Sequence, residues 1–539
     1  MYCQNCGSTA TIKKGFVELS SGRVKQRYKC KSCDSSFSVM TGDETIDDMF
    51  AEETEIVYDE DVVLETVDFH YERSAEWLQA NVYSKKRLVI AAAQNNTPVN
   101  AGFLGALKTY IEDNGAGLIV IPIKYKTINS QDDMLSDAYD EDIERYLCEN
   151  TIEFPKYNLK IYAGLKIQAT AENPLSGLDP LSKGRSIIVG HAQVQLKTLP
   201  NLDKRISDII TTTGVITEKN YSKTKLGEKA RFNHSLSAVV VEFDENHYHL
   251  RHLNYDEETN SFWDINKQYT SSSINDGAYC AALVTGDEHA IFRDETVERW
   301  TYNDPESIIS VMKPKSIIRH DTLDAYSISH HHRKNVFTQY AKWKSGVNRI
   351  EDELRQTIDY LNATTPSFAT SYIVQSNHNE HLLRWLNEVD IKTEPWNAKF
   401  YHYLMYNMLE ETEMTVNGTS HPDPFKLVAQ AHLKANIKFV DRGGMKIMGI
   451  EVGAHGDFGV NGARGGPKSF ARIPDKMIVG HSHSPSIEKG CYTVGTSSKL
   501  SLEYNKGAST WHHAHVIIHP NGKRQMIFIT PDGWRLTNA

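Results

Sequence analysis

Nowhere in its 539 residues does this chain carry an apolar run near the roughly 18 residues of a membrane-crossing helix, so no membrane partner is expected. Nor does it carry an excess of positive charge. Its 59 Lys and Arg stand against 69 Asp and Glu, a formal net charge of -10, which excludes a uniformly basic coat; any contact with nucleic acid must use local patches. The opening Met1-Tyr2-Cys3-Gln4 lacks the basic start and apolar core of a secretory signal, and a cytoplasmic location is expected. The turn Gln94-Asn95-Asn96-Thr97-Pro98 lacks the glycines of a dinucleotide site. Cysteine is scarce, with only seven, but four of them come in two close pairs.

Those pairs, Cys3-x-x-Cys6 and Cys30-x-x-Cys33, have the spacing of a four-thiolate zinc site, with Thr11 to Val17 and Val24 to Lys29 as strands of a ribbon over residues 1–40. Paired cysteines in an intracellular chain favour one structural Zn2+; a disulfide or redox pair is the alternative. The segment is locally basic, with Lys13, Lys14, Arg23, Lys25, Arg27, Lys29 and Lys31 beside Phe16 and Tyr28. That suits nucleic acid, and protein docking is the other use of such a module. The run Gln26 to Cys33 resembles the zinc ribbon that opens many transposases and DNA-binding proteins. The charge then reverses between Asp43 and Glu72, where no Lys or Arg occurs, and residues 41–84 read as an acidic linker.

An α/β domain is expected over residues 85–272. It begins with the strand Lys86 to Ala93, the helix Val99 to Asn114 and the strand Leu118 to Ile123, a β-α-β unit. Further strands are expected at Leu159 to Tyr162, Ser186 to Val189 and Ser237 to Phe243. Asp203 to Thr213 reads as a helix, and Tyr221 to Arg231 as a basic loop.

From Gly286 onward, metal-ligand side chains recur in short clusters, each beyond an apolar, strand-like run. They are Asp287, Glu288 and His289; Asp321 and Asp324; Asn377 and His378; His455; and His481, Ser482 and His483. Two ligands spaced by two at a strand tip share a face and can grip one ion. Carboxylate, imidazole and amide oxygen together suit manganese, iron or zinc better than calcium or magnesium. His421 and His432 share an interval with His455, which is preferred because Gly453, Gly456 and Gly459 flank it with pliable backbone. The runs His330 to His332 and His512, His513, His515 are expected to be peripheral. Amphipathic helices are expected at Asn335 to Leu361, Glu380 to Val389 and Pro395 to Glu411, and closing strands of the second sheet at Cys491 to Val494, Thr510 to Ile518 and Gln525 to Ile529.

In this order the clusters resemble the calcineurin-like metallophosphoesterases, whose motifs read D-x-H, G-D-x-x-D, G-N-H-D/E, a lone H and G-H-x-H. The resemblance covers roughly residues 280 to 520. Its first and last motifs match fully; His320 and Ser376 stand where the second and third have glycine, and Asn379 stands where an acid follows His378. The resemblance implies an α/β fold, a four-layer metallophosphoesterase sandwich over residues 273–539 with helical insertions, preceded by the α/β domain and the ribbon. It implies a site for two divalent ions, expected to be Mn2+. Asp287, His289 and His483 would hold one ion, Asp321 would bridge, and Asn377, His455 and His481 would complete the second site. His378 would be the acid that protonates the leaving oxygen, oriented by Asp324 or Glu380.

Three functions compete on these residues: a nuclease that hydrolyses DNA phosphodiesters, a phosphatase or small-molecule phosphodiesterase with the same site, and a ribbon DNA-binding protein with an inactive phosphoesterase domain. The ribbon favours the first, because a tether helps on a polymer and has little use on a nucleotide. The repair-exonuclease branch of the superfamily uses the same ligands. The combination of ribbon, α/β domain and phosphoesterase also resembles early proteins of tailed phages implicated in host-DNA degradation, which would place it in the host cytoplasm. DNA is the expected partner, with a homo-oligomer as the alternative to a monomer.

Overall fold

A computed structural model describes residues 3, 6, 8–18, 24–40, 71–125, 138–277, 279–416 and 418–537. The acidic stretch up to position 70, and Arg23, lie outside the described residues. The chain divides into two compact units, Met1–Asp68 and Phe69–Ala539. In the first, Thr11–Glu18, Val24–Cys30 and Ser36–Met40 form an antiparallel three-stranded sheet. Thr11 pairs with Cys30, so the chain leaving the first cysteine pair meets the second pair at one end of the ribbon.

The second unit is mixed α/β. One sheet of six strands has the order Ile437–Val440, Thr370–Val374, Ser316–Arg319, Ala282–Val284, Ala514–Ile518, Arg524–Phe528. Its first four strands are parallel, and the last two run antiparallel. Parallel strands need crossovers, and the chain supplies helices such as Ile308–Met312 and Ile350–Thr364 between them. The ends of these strands all point one way, toward a single rim.

A second sheet of ten strands draws on two distant parts of the chain. Residues between Thr151 and Thr212 give five of its strands, those between Lys446 and Thr493 the other five, and Ser486–Glu488 pairs antiparallel with Gln195–Thr198 at the seam. Ile188, Leu196, Ile478 and Ile487 of this sheet share one core with Val284, Ile318, Val374 and Val516 of the other. The expected division at 272/273 therefore runs through one continuous body. The β-α-β unit forms as expected: Arg87–Gln94 and Gly117–Ile123 are parallel, joined by the helix Ala101–Asn114, in a separate four-stranded sheet.

Other expectations are corrected. Ile209–Thr212, within the segment read as helix, is a strand between Ser186–Val189 and Gln195–Thr198. All four residues are buried, so the alternation that marks a half-exposed strand is missing. The expected basic loop contains the helix Lys225–Asn233, capped by Thr224 Oγ1 accepting from Gly227 N at 3.1 Å. The expected helix at Asn335 to Leu361 is two, Val336–Lys344 and Ile350–Thr364, broken at Gly346 with φ of 69°. Ala514–Ile518 and Arg524–Phe528 extend the six-stranded sheet rather than close the other. The end of the expected linker is docked structure: Tyr71 N donates to Glu149 Oε2 at 3.1 Å and Arg73 Nε to the Leu147 carbonyl at 2.6 Å. Among the described residues no helix is long and apolar enough to cross a membrane.

Candidate metal centre

Three of the five ligand clusters sit where parallel strands of the six-stranded sheet end. Asp287 and His289 follow Ala282–Val284, Asp321 follows Ser316–Arg319, and Asn377 and His378 open the helix Asn377–Glu388 beyond Thr370–Val374. The other two come from the ten-stranded sheet: His455 follows Ile450–Glu451, and His481 and His483 follow Met477–Val479. The loops are stitched together beyond their strands, with His289 N donating to the Asp321 carbonyl at 2.7 Å and Gly480 N to the His455 carbonyl at 2.7 Å. A Cβ on Gly480 would stand 2.2 Å from Asp287 Oδ1, so only glycine lets the two loops close.

The backbone itself is bent to the task. His289, Asp321, His481 and His483 all have positive φ, between 40° and 70°, a region that side chains with a Cβ rarely adopt. Four such residues at one place cost roughly 1–3 kcal/mol each, which the surrounding core must offset.

The ligand atoms of Asp287, His289, Asp321 and His483, all buried, lie within 4.8 Å of one another. His289 Nε2 is 3.0 Å from His483 Nε2, and His483 Nε2 is 3.1 Å from Asp287 Oδ2. On the other side, His455 Nε2 is 3.1 Å from Asp321 Oδ2, and His481 Nδ1 is 3.2 Å from Asn377 Oδ1. Ligands at about 2.1 Å from an octahedral ion are separated by about 3 Å, so these spacings suit metal coordination. Both oxygens of Asp287 and Oδ1 of Asp321 are buried without a hydrogen-bond partner. Carboxylate oxygens in that state call for a cation. The residues present therefore fit divalent metal, with Asp321 lying between His289, 3.8 Å away, and His455.

Without metal, protons fill the same need. Burial opposes a charge on His289, but Asp324, Asp321 and Asp287 around it outweigh that and push its pKa up to about 9. Burial pushes Asp321 upward, yet the surrounding His455, His378 and His289 hold it well below the usual carboxylate range.

Support comes from behind the ligands. Asp324 Oδ2 accepts the Nδ1 proton of His289 at 2.8 Å, which leaves His289 Nε2 as the ligating atom. His378 Nδ1 donates to the backbone carbonyl of Asp324 at 2.7 Å, with the Asp324 carboxylate 3.8 Å away. Glu380 is engaged elsewhere, with Arg442 at 2.6 Å. Of the two expected orienting residues it is therefore Asp324, through its backbone, that fixes His378. His320, in place of the motif's glycine, lays its ring 5.5 Å from that of His455, its Nδ1 3.4 Å from His455 Nδ1.

His455 is the buried choice of its interval; His421 and His432 are exposed. The histidines expected to be peripheral at 512–515 are instead buried beside the site. His515 Nδ1 accepts from Gly286 N at 2.9 Å and so holds the turn that carries Asp287. Trp511 meets His483 with ring centroids 4.2 Å apart. His330 and His381 also lie near, their rings 5.1 Å apart, and His381 is 4.8 Å from His378.

In the ribbon, Cys3 Sγ is 3.6 Å from Cys33 Sγ and Cys6 Sγ is 3.6 Å from Cys30 Sγ, and all four sulfurs lie within 4.8 Å of one another. A tetrahedral zinc with sulfurs at about 2.3 Å separates them by about 3.8 Å, so this cluster can hold zinc and is far too wide for a disulfide.

No protein-family model matches the chain, and no solved structure matches it at a significant level. Over 463 residues, 83% of this chain and 83% of the relative, the sequence is 32% identical to Protein A1 of Escherichia phage T5. The chain belongs to the Protein A1 family. In this Protein A1 relative, then, the thiolate cluster lies in one unit and the carboxylate and imidazole cluster of Asp287, His289, Asp321 and His483 in the other.

Proposed function

We propose that this chain is a metal-dependent nuclease that hydrolyses DNA phosphodiester bonds, with a calcineurin-like metallophosphoesterase body and a zinc ribbon that tethers the polymer. The observation that carries the reading is the convergence of the seven ligands from two sheets, with the buried Asp287 Oδ1 and Asp321 Oδ1 accepting no hydrogen bond among the described residues. Two divalent ions, when bound, supply an acidified water and a clamp on the phosphoryl oxygens. The chain's own residues do the rest. Asp321 is shared between the two halves, Asp324 holds the tautomer of His289, and His378, its Nδ1–H committed to a carbonyl, acts as the doubly protonated imidazolium, which passes its Nε2 proton to the leaving oxygen and stays as the neutral Nδ1–H tautomer. DNA as substrate is supported by the basic ribbon sequence and by the phage-encoded relative; the host cytoplasm follows as the place of action.

The test is purified protein with Mn2+ offered linear duplex, circular single-stranded DNA and a chromogenic phosphodiester side by side. Cleavage of DNA that stops on chelation and resumes with Mn2+ is expected. Turnover of the chromogenic diester alone would assign a small-molecule phosphodiesterase, and DNA binding with no hydrolysis of any substrate an inactive domain.

A further inference from the structure

Between the second and third ligand clusters the chain inserts the helix Val336–Lys344, which exposes what a helix normally buries. Phe337 is 87% exposed, Tyr340 60% and Trp343 59%, with Val336 and Val347 exposed beside them. Spacings of three and four put these side chains along one face, and the rings of Tyr340 and Trp343 are 5.5 Å apart. Single exposed apolar residues are ordinary; a stripe of four on this helix, with Val347 just past its end, marks an interaction surface.

Charge says for what. In a chain of net charge -10, residues 330–349 contain Arg333, Lys334, Lys342, Lys344 and Arg349 and no Asp or Glu. Lys334 and Lys344 are exposed and pair with no carboxylate among the described residues. The helix is also anchored to the metal centre. Buried Lys342 donates to the Tyr326 carbonyl and lies 4.1 Å over the Tyr326 ring, and buried Glu353 accepts from Tyr326 N at 3.0 Å and Ser327 N at 2.8 Å. That pinned segment follows Asp324 directly. The preceding His330 reaches back through His381 to His378.

We propose that this helix is a stacking platform for single-stranded DNA, with unpaired bases lying on Phe337, Tyr340 and Trp343 and phosphates meeting Lys334 and Lys344. The proposal rests on the nuclease reading and adds to it the strand state of the substrate at the metal centre. Aromatic faces need base faces, which a duplex hides and a single strand offers, and Lys334 and Lys344 complement a phosphate backbone, whereas Arg333 and Arg349 are already paired with Glu388 and Asp352. A second copy of the same surface would instead bring like charges together.

The test uses the full chain in chelator, so that no cleavage intrudes, and a fluorescein-labelled oligo-dT followed by anisotropy. The triple variant Phe337→Ala, Tyr340→Ala, Trp343→Ala, altered only at exposed positions, is expected to bind at least about tenfold more weakly. Quenching of tryptophan emission by oligo-dT should largely vanish in Trp343→Phe alone. Lys334→Glu with Lys344→Glu should flatten the salt dependence by about 0.7 in logarithmic slope for each phosphate that a lysine no longer neutralises. Affinity of the triple variant within twofold of wild type, with unchanged quenching in Trp343→Phe, overturns the proposal. So does a fall in mass by light scattering at unaltered DNA affinity, which would make the stripe an interface between copies. Wild-type hydrolysis of the chromogenic diester and of DNA, measured with Mn2+, separates the two readings: a chain that binds oligo-dT through these rings yet cleaves neither substrate is no nuclease but keeps the platform.

Discussion

Asp321 lies between the two halves of the candidate metal centre, near both His289 and His455, whereas His481 meets Asn377 in one of them. Asp321→Ala is therefore expected to empty both sites and His481→Ala to leave about one ion per chain, read by elemental analysis after dialysis against Mn2+; full occupancy in both variants would remove the central claim. Loss of an ion also removes the stabilisation it gives, about 2.7 kcal/mol at a hundredfold excess over Kd. Asp324→Ala frees the Nδ1 of His289 and should weaken metal binding about 10- to 100-fold by titration, without emptying the site at saturating Mn2+. His378→Ala should keep both ions and lose roughly a hundred- to ten-thousandfold in turnover; native rates would hand the leaving proton to water or another group. These residues were legible because ligand chemistry is written in residue types and short spacings. His515, which holds Gly286, was not, for a histidine two strands away in the sheet carries no local sign of the backbone N–H it will meet.

At the scale of elements, the ribbon is the sharpest case of sequence carrying structure, since four cysteines at two spacings leave few ways to fold. Cys30→Ser with Cys33→Ser is expected to release one zinc and unfold the sheet Thr11–Met40, because thiolate–zinc bonds supply most of the folding energy of so small a module. If the ribbon tethers DNA, affinity for long duplex falls in that variant and its salt dependence flattens; an unchanged affinity would make it a docking module. Elsewhere, legibility follows exposure. The helix Ala101–Asn114 was readable from its apolar spacing and ends at Gly115, at φ of 58°, where a left-handed turn is needed. Ile209–Thr212 was not, because a strand buried on both faces and a buried helix look alike over four residues. The charged helix Lys225–Asn233 passed for a loop since only Gly227 and Ala230 of it are buried.

Across the whole molecule, histidines buried as neutral rings set the acid limit of stability. Burial lowers His191, His234, His252 and His519 to about 4, from near 6.5 in an unfolded chain. Between those values the unfolded chain binds more protons, so the stability that these four rings contribute is intact above about pH 6.5 and drains away as pH falls toward 4. Melting temperature at constant ionic strength in chelator should therefore decline from pH 6.5 to 5; a flat profile would mean that these rings are hydrated or already charged in the fold. The seam of the ten-stranded sheet has a consequence for synthesis. Gln195–Thr198 finds Ile209–Thr212 at once, but its other neighbour, Ser486–Glu488, and the Glu488 carboxylate that Gln195 Nε2 meets at 2.7 Å, are far downstream. At about 5–20 residues per second, roughly 290 residues of translation leave that strand edge bare on the ribosome for roughly 15 to 60 s. A bare edge recruits other strands. A chain released before Ser486 should aggregate unless the missing part is co-expressed, and translation through the 198–486 interval becomes the step at which a nascent chain most needs a chaperone.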